Sequence, residues 1–277
     1  MVAIVTDSVA DLPPEVAGKM KISVIPLHVH FGSQVYKDGV DLTSKEFYHK
    51  LEKSTVLPQT SAPGPGIFAD FFDSIAEKNS EILAIFLSHK FSATYESALQ
   101  GINLMKRKCH VEVVDSTLAI MGQGLLVIEA AKKALKGSSL TDIINMISET
   151  VPRIHIRVTL DTLKYLAMGG RVGKVQAFMG SILKVNPILG IKNGEAFPYT
   201  RVRSRAKAVK ALQQFATGFR NVKALAIEHG TNTDEAKVFA DKIASLFPKV
   251  PIYISNVSPV IGTHTGPGVL SITVLED

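Results

Sequence analysis

Hydrophobic positions along this chain fall into short β-branched runs separated by stretches of helical spacing. Residues 2–5, 21–29, 82–87 and 111–114 are runs of strand length. Between them, the spacing predicts helices over 13–20, 44–53, 66–78, 92–105 and 118–135. Two of these carry start signals. Pro13-Pro14 suits a first helical turn, and Thr43 followed by Glu46 is a capping box, in which each side chain satisfies the other residue's free N–H. Strands alternating with helices predict a mostly parallel sheet with helices on both faces.

The rhythm breaks at Lys136-Gly137-Ser138-Ser139, and a helix over 140–150 leads into Val151-Pro152. A boundary near residue 155 follows, dividing the chain into an N-terminal α/β domain (1–155) and a C-terminal α/β domain (156–277). Strand-like runs then occupy 154–159, 185–191, 196–202, 222–227, 251–255 and 269–274. Lys192-Asn193-Gly194-Glu195 joins two of them through the Asn-Gly pair of a tight hairpin. The expected class is α/β with two domains, the second built on a mixed or antiparallel sheet with helices.

Composition narrows the function classes. With 277 residues, 46% hydrophobic and 20% charged, the chain lies far from disordered compositions. No stretch approaches the roughly 18 uncharged apolar residues of a membrane-spanning helix, so no integral membrane segment is expected; transient contact with a membrane surface stays open. Residues 2–5 lead into Thr6-Asp7-Ser8 without the basic and apolar regions of an export signal, and Cys109 is the single cysteine. Both point to the cytoplasm, with no intrachain disulfide. The net charge of +6 favours an anionic ligand or partner. Nucleic acid is not expected, because there is no Trp, aromatics make up 7%, and no zinc-finger spacing or aromatic-basic interleaving occurs.

The candidate chemistry lies in polar turns after strands: Thr6-Asp7-Ser8, the stretch from Ser88 to Thr94, and Asp115-Ser116-Thr117. In a parallel sheet all three share the carboxyl edge, where open α/β folds bind ligands. Thr60 and Ser61 add hydroxyls just before a helix whose free N–H groups suit an oxyanion. Ser, Thr and Asp are also ordinary N-caps, which is the plainer account of any one of them. Glycines flank Arg171 (Met168 to Gly173) and His264 (Ile261 to Gly268), allowing close backbone approach or tight surface turns. Arg201, Arg203 and Arg205 share one face if the chain stays extended, as a docking row or a solvated edge. Phosphate-binding glycine loops, H-E-x-x-H, EF-hand and G-x-S-x-G motifs are absent, so neither cofactor nor metal is expected. Ser92, His264 and Asp7 could meet as a hydrolase or acyltransferase set, which ranks below a binding role.

Ile4 to Pro13, Thr60-Ser61-Ala62-Pro63, Leu87 to Ala98, Val114-Asp115-Ser116, Leu160 to Val172, Pro187-Ile188-Leu189 and Ile261 to Gly268, in this order, resemble the DegV family of bacterial lipid-binding proteins. The resemblance implies a long-chain fatty acid, such as palmitate or stearate, held between two domains. It also implies a carrier without catalytic residues, presenting its ligand to the separate ATP-binding subunit of a fatty acid kinase, which makes acyl phosphate for phospholipid synthesis. Carried over by position, Thr60, Ser61, Ser92, Ala93 and His264 hold the carboxylate, Ala93 standing where the family usually has Gly. Arg171, Arg201 and Arg203 serve kinase docking or phosphotransfer. Helical spacing offers Ile120, Met121, Leu166, Phe178 and Ile182 as tail-lining candidates, although such residues are also ordinary core.

Overall fold

The computed structural model describes residues 1–178 and 185–277. The chain runs through β1 (Ala3–Asp7), α1 (Pro14–Lys19), β2 (Ile22–Ile25), β3 (His28–Phe31), β4 (Gln34–Lys37), α2 (Ser44–Lys53), β5 (Gln59–Ser61), α3 (Pro65–Ala76), β6 (Glu81–Phe86), α4 (Thr94–Ile102), β7 (His110–Asp115), α5 (Ile120–Leu135) and α6 (Leu140–Thr150). It continues with β8 (Ile154–Thr159), α7 (Lys164–Met168), β9 (Asn186–Lys192), β10 (Glu195–Val202), α8 (Arg205–Ala216), β11 (Val222–His229), α9 (Thr233–Leu246), β12 (Ile252–Asn256), α10 (Pro259–Thr265) and β13 (Leu270–Glu276).

The first sheet is parallel, in the order β2-β1-β6-β7. Its central strands β1 and β6 are apolar on both faces, as burial between helices requires. Val5, Ile82, Ala84 and Phe86 join Phe68 and Phe72 of α3 and Ala98 of α4, while Ile4, Leu83 and Ile85 face α5. The capping box at Thr43 and Glu46 forms as expected, and Pro14 opens α1.

The second large sheet has the order β10-β9-β8-β13-β11-β12 and is antiparallel except for β11 with β12. Asn193 and Gly194 both take positive φ between β9 and β10, the geometry of the expected hairpin turn. One face of this sheet, with Ile188, Leu225, Ile227, Leu270, Ile272 and Val274, is covered by α8 and α9. The other face turns toward α5.

Helix α5 is wedged between the two sheets and is buried nearly all round, from Ile120 to Ala134. Gly122 and Gly124 permit the close fit. A Cβ on Gly122 would lie 2.3 Å from Ile156 Cδ1, and one on Gly124 2.5 Å from the Ala10 carbonyl oxygen. Glu129 of α5 accepts from Lys132 and from Lys223 at the start of β11, tying the helix to the second sheet.

Three expectations change. The run 21–29 is two strands, because the chain turns at Pro26-Leu27, where proline cannot donate to a ladder. Its second part, β3, forms a small antiparallel sheet, β4-β3-β5. The glycine-bounded segment around His264 is helix α10, ended by Gly266 at φ +77. The extended row of arginines is also broken: β10 ends at Val202, and Arg205 opens α8 with its Nε 2.9 Å from Glu235 Oε2 and an Nη1 hydrogen bond to the Gly268 carbonyl.

Candidate functional site

A cavity of about 360 Å³ lies between the carboxyl edge of the parallel sheet and the inner face of the six-stranded sheet. Its floor is a cross-strand row. Ser271, Val158 and Leu189 are register partners on β13, β8 and β9, so their side chains share one face, and all three line the cavity. Leu27, Val260 and Ile261 add to an almost wholly apolar wall.

The polar side chains of this lining are Thr60, Ser61, Ser92, Arg171, His264 and Thr265, with Ser271 on the floor. Strand β5 presents Thr60 toward α10, where its Oγ1 lies 2.9 Å from His264 Nε2. Neighbouring Ser61 also lines the cavity, while its hydroxyl meets His30 Nε2 at 2.8 Å on the other side of the strand. Ser92 Oγ lies 2.8 Å from the hydroxyl of buried Thr94, at the start of α4. Ala93, the N-cap of α4, lines the cavity and makes no side-chain cap, so the free N–H groups of that helix face this region. Its φ of −76° is one that alanine adopts without strain. The oxyanion-suited helix end at the cavity is therefore that of α4, not that of α3.

Arg171 donates from Nε to the Phe91 carbonyl (3.1 Å) and from Nη1 to the Gly169 carbonyl (2.7 Å), leaving further N–H groups at the cavity. Burial, and then the Arg171 charge, push the His264 pKa down to about 4, so the ring is neutral at pH 7. Gly169 makes room for that ring: a Cβ there would sit 2.1 Å from His264 Nδ1. Nδ1 has no partner among the described residues. Leaving an acceptor unpaired costs less than burying an orphan N–H, so the ring proton belongs on Nε2, donating to Thr60. Thr60 then keeps its own hydroxyl proton for a ligand.

No Ser/His/Asp set forms. His264 bonds Thr60, Ser92 bonds Thr94, and Asp7 accepts from the Val9 and Leu87 amides inside the fold. Among the other turn residues, Ser88 donates to the Gly194 carbonyl and Ser116 Oγ accepts from the Leu118 amide, which makes them structural caps. No group of three or more His, Cys, Asp or Glu among the described residues could hold a metal ion, and none of the described helices is long and apolar enough to cross a membrane.

Of the tail-lining candidates, Ile120 and Leu166 border the cavity. Met121 does not: it is fully buried, its amide donates to Glu228, and its sulfur lies against Gly124. Phe178 lies beneath the Arg201 guanidinium (4.6 Å) rather than on the wall, and Ile182 falls outside the described residues. Arg203 is exposed beyond the end of β10. Leu27, Leu189, Val260 and Ser271 were not anticipated. The period-two pattern of β9 and β13 marks which residues share a face, but carries no sign of which face is left open.

A family model described as "Uncharacterised protein, DegV family" matches residues 1–277. A DegV domain-containing protein of Halalkalibacterium halodurans is 37% identical, covering 98% of this chain and 97% of the relative. Two solved structures superpose closely. DegV, a fatty acid binding protein from Bacillus subtilis, has a TM-score of 0.91 at 32% identity, covering 100% of this chain and 99% of the other. A stearic acid-binding protein from Eubacterium ventriosum has a TM-score of 0.91 at 27% identity, covering 100% and 98%. By family model, relatives and architecture together, this chain belongs to the DegV family.

Proposed function

We propose that this protein binds one long-chain fatty acid, of the palmitate or stearate type, with its carboxylate at Thr60, Ser92 and His264 and its tail over the Val158–Leu189 floor, between residues 1–155 and 156–277. The observation that carries this reading is an almost wholly apolar cavity into whose wall Thr60, hydrogen-bonded to His264, Ser92 and Arg171 are set. The solved relatives from Bacillus subtilis and Eubacterium ventriosum, described as fatty acid and stearic acid binders, support it.

Tail and head divide the work. At about 0.8 kcal/mol per buried methylene, roughly a dozen methylenes contribute on the order of 10 kcal/mol before ordering costs. The tail thus sets affinity. Charge-assisted hydrogen bonds from Thr60, Ser92 and the α4 amides, about 1.5–3 kcal/mol each, set orientation. With Thr94 as the donor in its hydroxyl pair with Ser92, the Ser92 proton is free for the ligand. Neutral His264 adds no charge; it aligns Thr60, while Arg171 supplies the positive field.

A carboxylate held this way is presented to a separate ATP-dependent kinase subunit. One carboxylate oxygen attacks the terminal phosphorus of ATP, the bond from that phosphorus to ADP breaks, and acyl phosphate and ADP leave. Arg171, Arg201 and Arg203 offset phosphate charge or dock the kinase. Mass spectrometry of a denaturing organic extract of the purified protein tests the binding step: a stoichiometric fatty acid supports it. An empty extract from protein that also fails to take up added stearate contradicts it.

A further inference from the structure

Of the three arginines in the basic row, Arg205 has no part in the lipid site or in kinase docking, yet its bonds reach the framework of that site. It opens α8 and is partly buried, with 22% of its side chain exposed. Nε and Nη2 fork onto Glu235 in the first turn of α9, at 2.9 and 2.5 Å from Oε2. Nη1 donates to the Gly268 carbonyl (2.6 Å) and lies 3.4 Å from Asp161 Oδ1. Three segments far apart in the chain thus meet at one guanidinium: the loop into α7, the loop out of α10 and the start of α9. A planar fork of five N–H groups can serve all three, where the point charge of an ammonium could not.

Asp161 and Gly268 bracket the two helices that carry the polar wall. Asp161 stands before α7, whose Leu166 borders the cavity, and the chain leaving α7 carries Gly169 and Arg171. Gly268 follows α10, which supplies Val260, Ile261 and His264. The two helices touch without slack: a Cβ on Gly169 would overlap the His264 ring, one on Gly266 the Tyr165 ring, and one on Gly268 the Asp161 carboxylate. Contacts this close hold the His264 ring only while α7 and α10 keep their relative position. Other bonds pin each side separately, as the Thr231 amide does to the Pro267 carbonyl and Arg171 to that of Phe91. Arg205 is bonded to both sides at once.

We propose that Arg205 is a positioning residue of the carboxylate site: by tying the entry of α7 to the exit of α10, it keeps His264 seated against Gly169 and bonded to Thr60. It lies outside the cavity lining and acts through the two loops. The Asp161 carboxylate and the Gly268 carbonyl are both acceptors, held close together with the Arg205 N–H groups between them. Without the guanidinium they repel, Asp161 and Glu235 lose their shared counter-charge, and the relief available is for α7 to part from α10. For its ligand, this role rests on the fatty-acid reading above.

The test is R205Q beside E235Q. Glutamine at 205 is shorter and uncharged, so the tie between the loops is lost. Glutamine at 235 keeps an oxygen for the Arg205 fork and spares its bonds to Asp161 and Gly268, so only the tie between α8 and α9 weakens. The readout is the titration of His264 in lipid-free protein, by NMR of isotope-labelled histidine. Burial, and then the Arg171 charge, hold the wild-type ring down at about 4, so its resonance is expected to stay at the neutral position from about pH 8 to about pH 5. In R205Q water reaches the ring and Arg171 draws away, so the midpoint is expected to rise by about one pH unit or more. E235Q is expected to titrate like wild type, whatever melting temperature either variant loses. The Kd for stearate is expected to rise about tenfold in R205Q and to hold in E235Q. A midpoint unmoved in R205Q, one moved as far in E235Q, or stearate bound by R205Q as tightly as by wild type overturns the proposal. If R205Q does not fold, D161N, which spares the Arg205–Glu235 pair, decides in its place on the same terms. Wild type that takes up no stearate defeats the fatty-acid reading, and the His264 titration still decides what Arg205 does.

Discussion

The two faces of the six-stranded sheet are both apolar, yet protein closes only one of them completely. Ile188, Leu270, Ile272 and Val274 on the outer face are sealed by α8 and α9, with Phe239 and Leu212 filling the space between. Leu189 and Ser271, one residue along the same strands, and their register partner Val158 look into a cavity. Interiors pack to crystal-like density, so a built apolar void marks a place for a ligand. The difference lies in what covers a face, not in the residues that make it.

The largest expected contrast comes from neighbouring residues of β9. Ile188→Ala should destabilise the protein by about 2–5 kcal/mol, because the closed outer face cannot collapse into the space left behind. Chemical denaturation checks this; a loss no larger than that of Leu189→Ala would erase the distinction between the faces. Next is the polar end. Ser92→Ala should weaken fatty-acid retention by about 1.5–3 kcal/mol with little change in melting temperature, measured by competition binding. Unchanged retention would remove Ser92 from the carboxylate site. Leu189→Ala enlarges an existing cavity and should cost under about 2 kcal/mol of stability while weakening the longest acyl chains most.

Titration separates the ends of α10. The raised carboxyls of Asp7, Asp38 and Glu228, up at about 6, 7 and 7 from ordinary values of 3.8, 3.8 and 4.5, bind protons in the native state that the unfolded chain has released. Their contribution favours the fold at low pH and is lost as pH climbs to about 7. His264, down at about 4 from 6.5, acts in the opposite sense, its contribution growing as pH rises over that window. The carboxyls outnumber the imidazole, so lipid-free stability should fall between about pH 5 and about pH 7, each unmatched proton contributing up to about 1.4 kcal/mol per pH unit. A flat or rising profile would mean that the acids are ionised in the native protein. The smallest stability effect is at Arg203: Arg203→Ala should alter stability by less than about 0.5 kcal/mol and leave lipid binding intact, while weakening acyl phosphate formation with the kinase. Equal loss of binding and coupling would contradict its assignment.

Legibility in the sequence followed burial. Strands β1 and β6 were readable because a parallel sheet covered on both faces gives continuous apolar runs, and the edge strand β7 by its β-branched valines. Strand β4, with three exposed residues of four, and the three-residue β5 carry no such period, and they went unread even though β5 holds Thr60. The turns at the carboxyl edge were found as candidates. Most are caps: Asp7 and Ser116 bind backbone amides, while Phe91, Ser92 and Ala93 of the second turn border the cavity. Thr60, Ser92 and His264 were candidates from the polar turns and glycine-bounded segments, but their joint role came from the resemblance, because Thr60 and His264 meet across 204 residues of chain. Met121 and Ile120 are adjacent and equally apolar, yet Ile120 borders the cavity and Met121 does not, because successive residues of a helix face different directions and the apolar pattern does not say which face is left open.

The central claim is a lipid whose carboxylate sits at Thr60, Ser92 and His264. It is tested most directly by NMR of stearate labelled at its carboxyl carbon, bound to wild type and to Thr60→Val. The account predicts one saturable bound resonance, displaced from that of free carboxylate and moved again by Thr60→Val. A bound resonance at the solvent-exposed position, indifferent to Thr60, would contradict it.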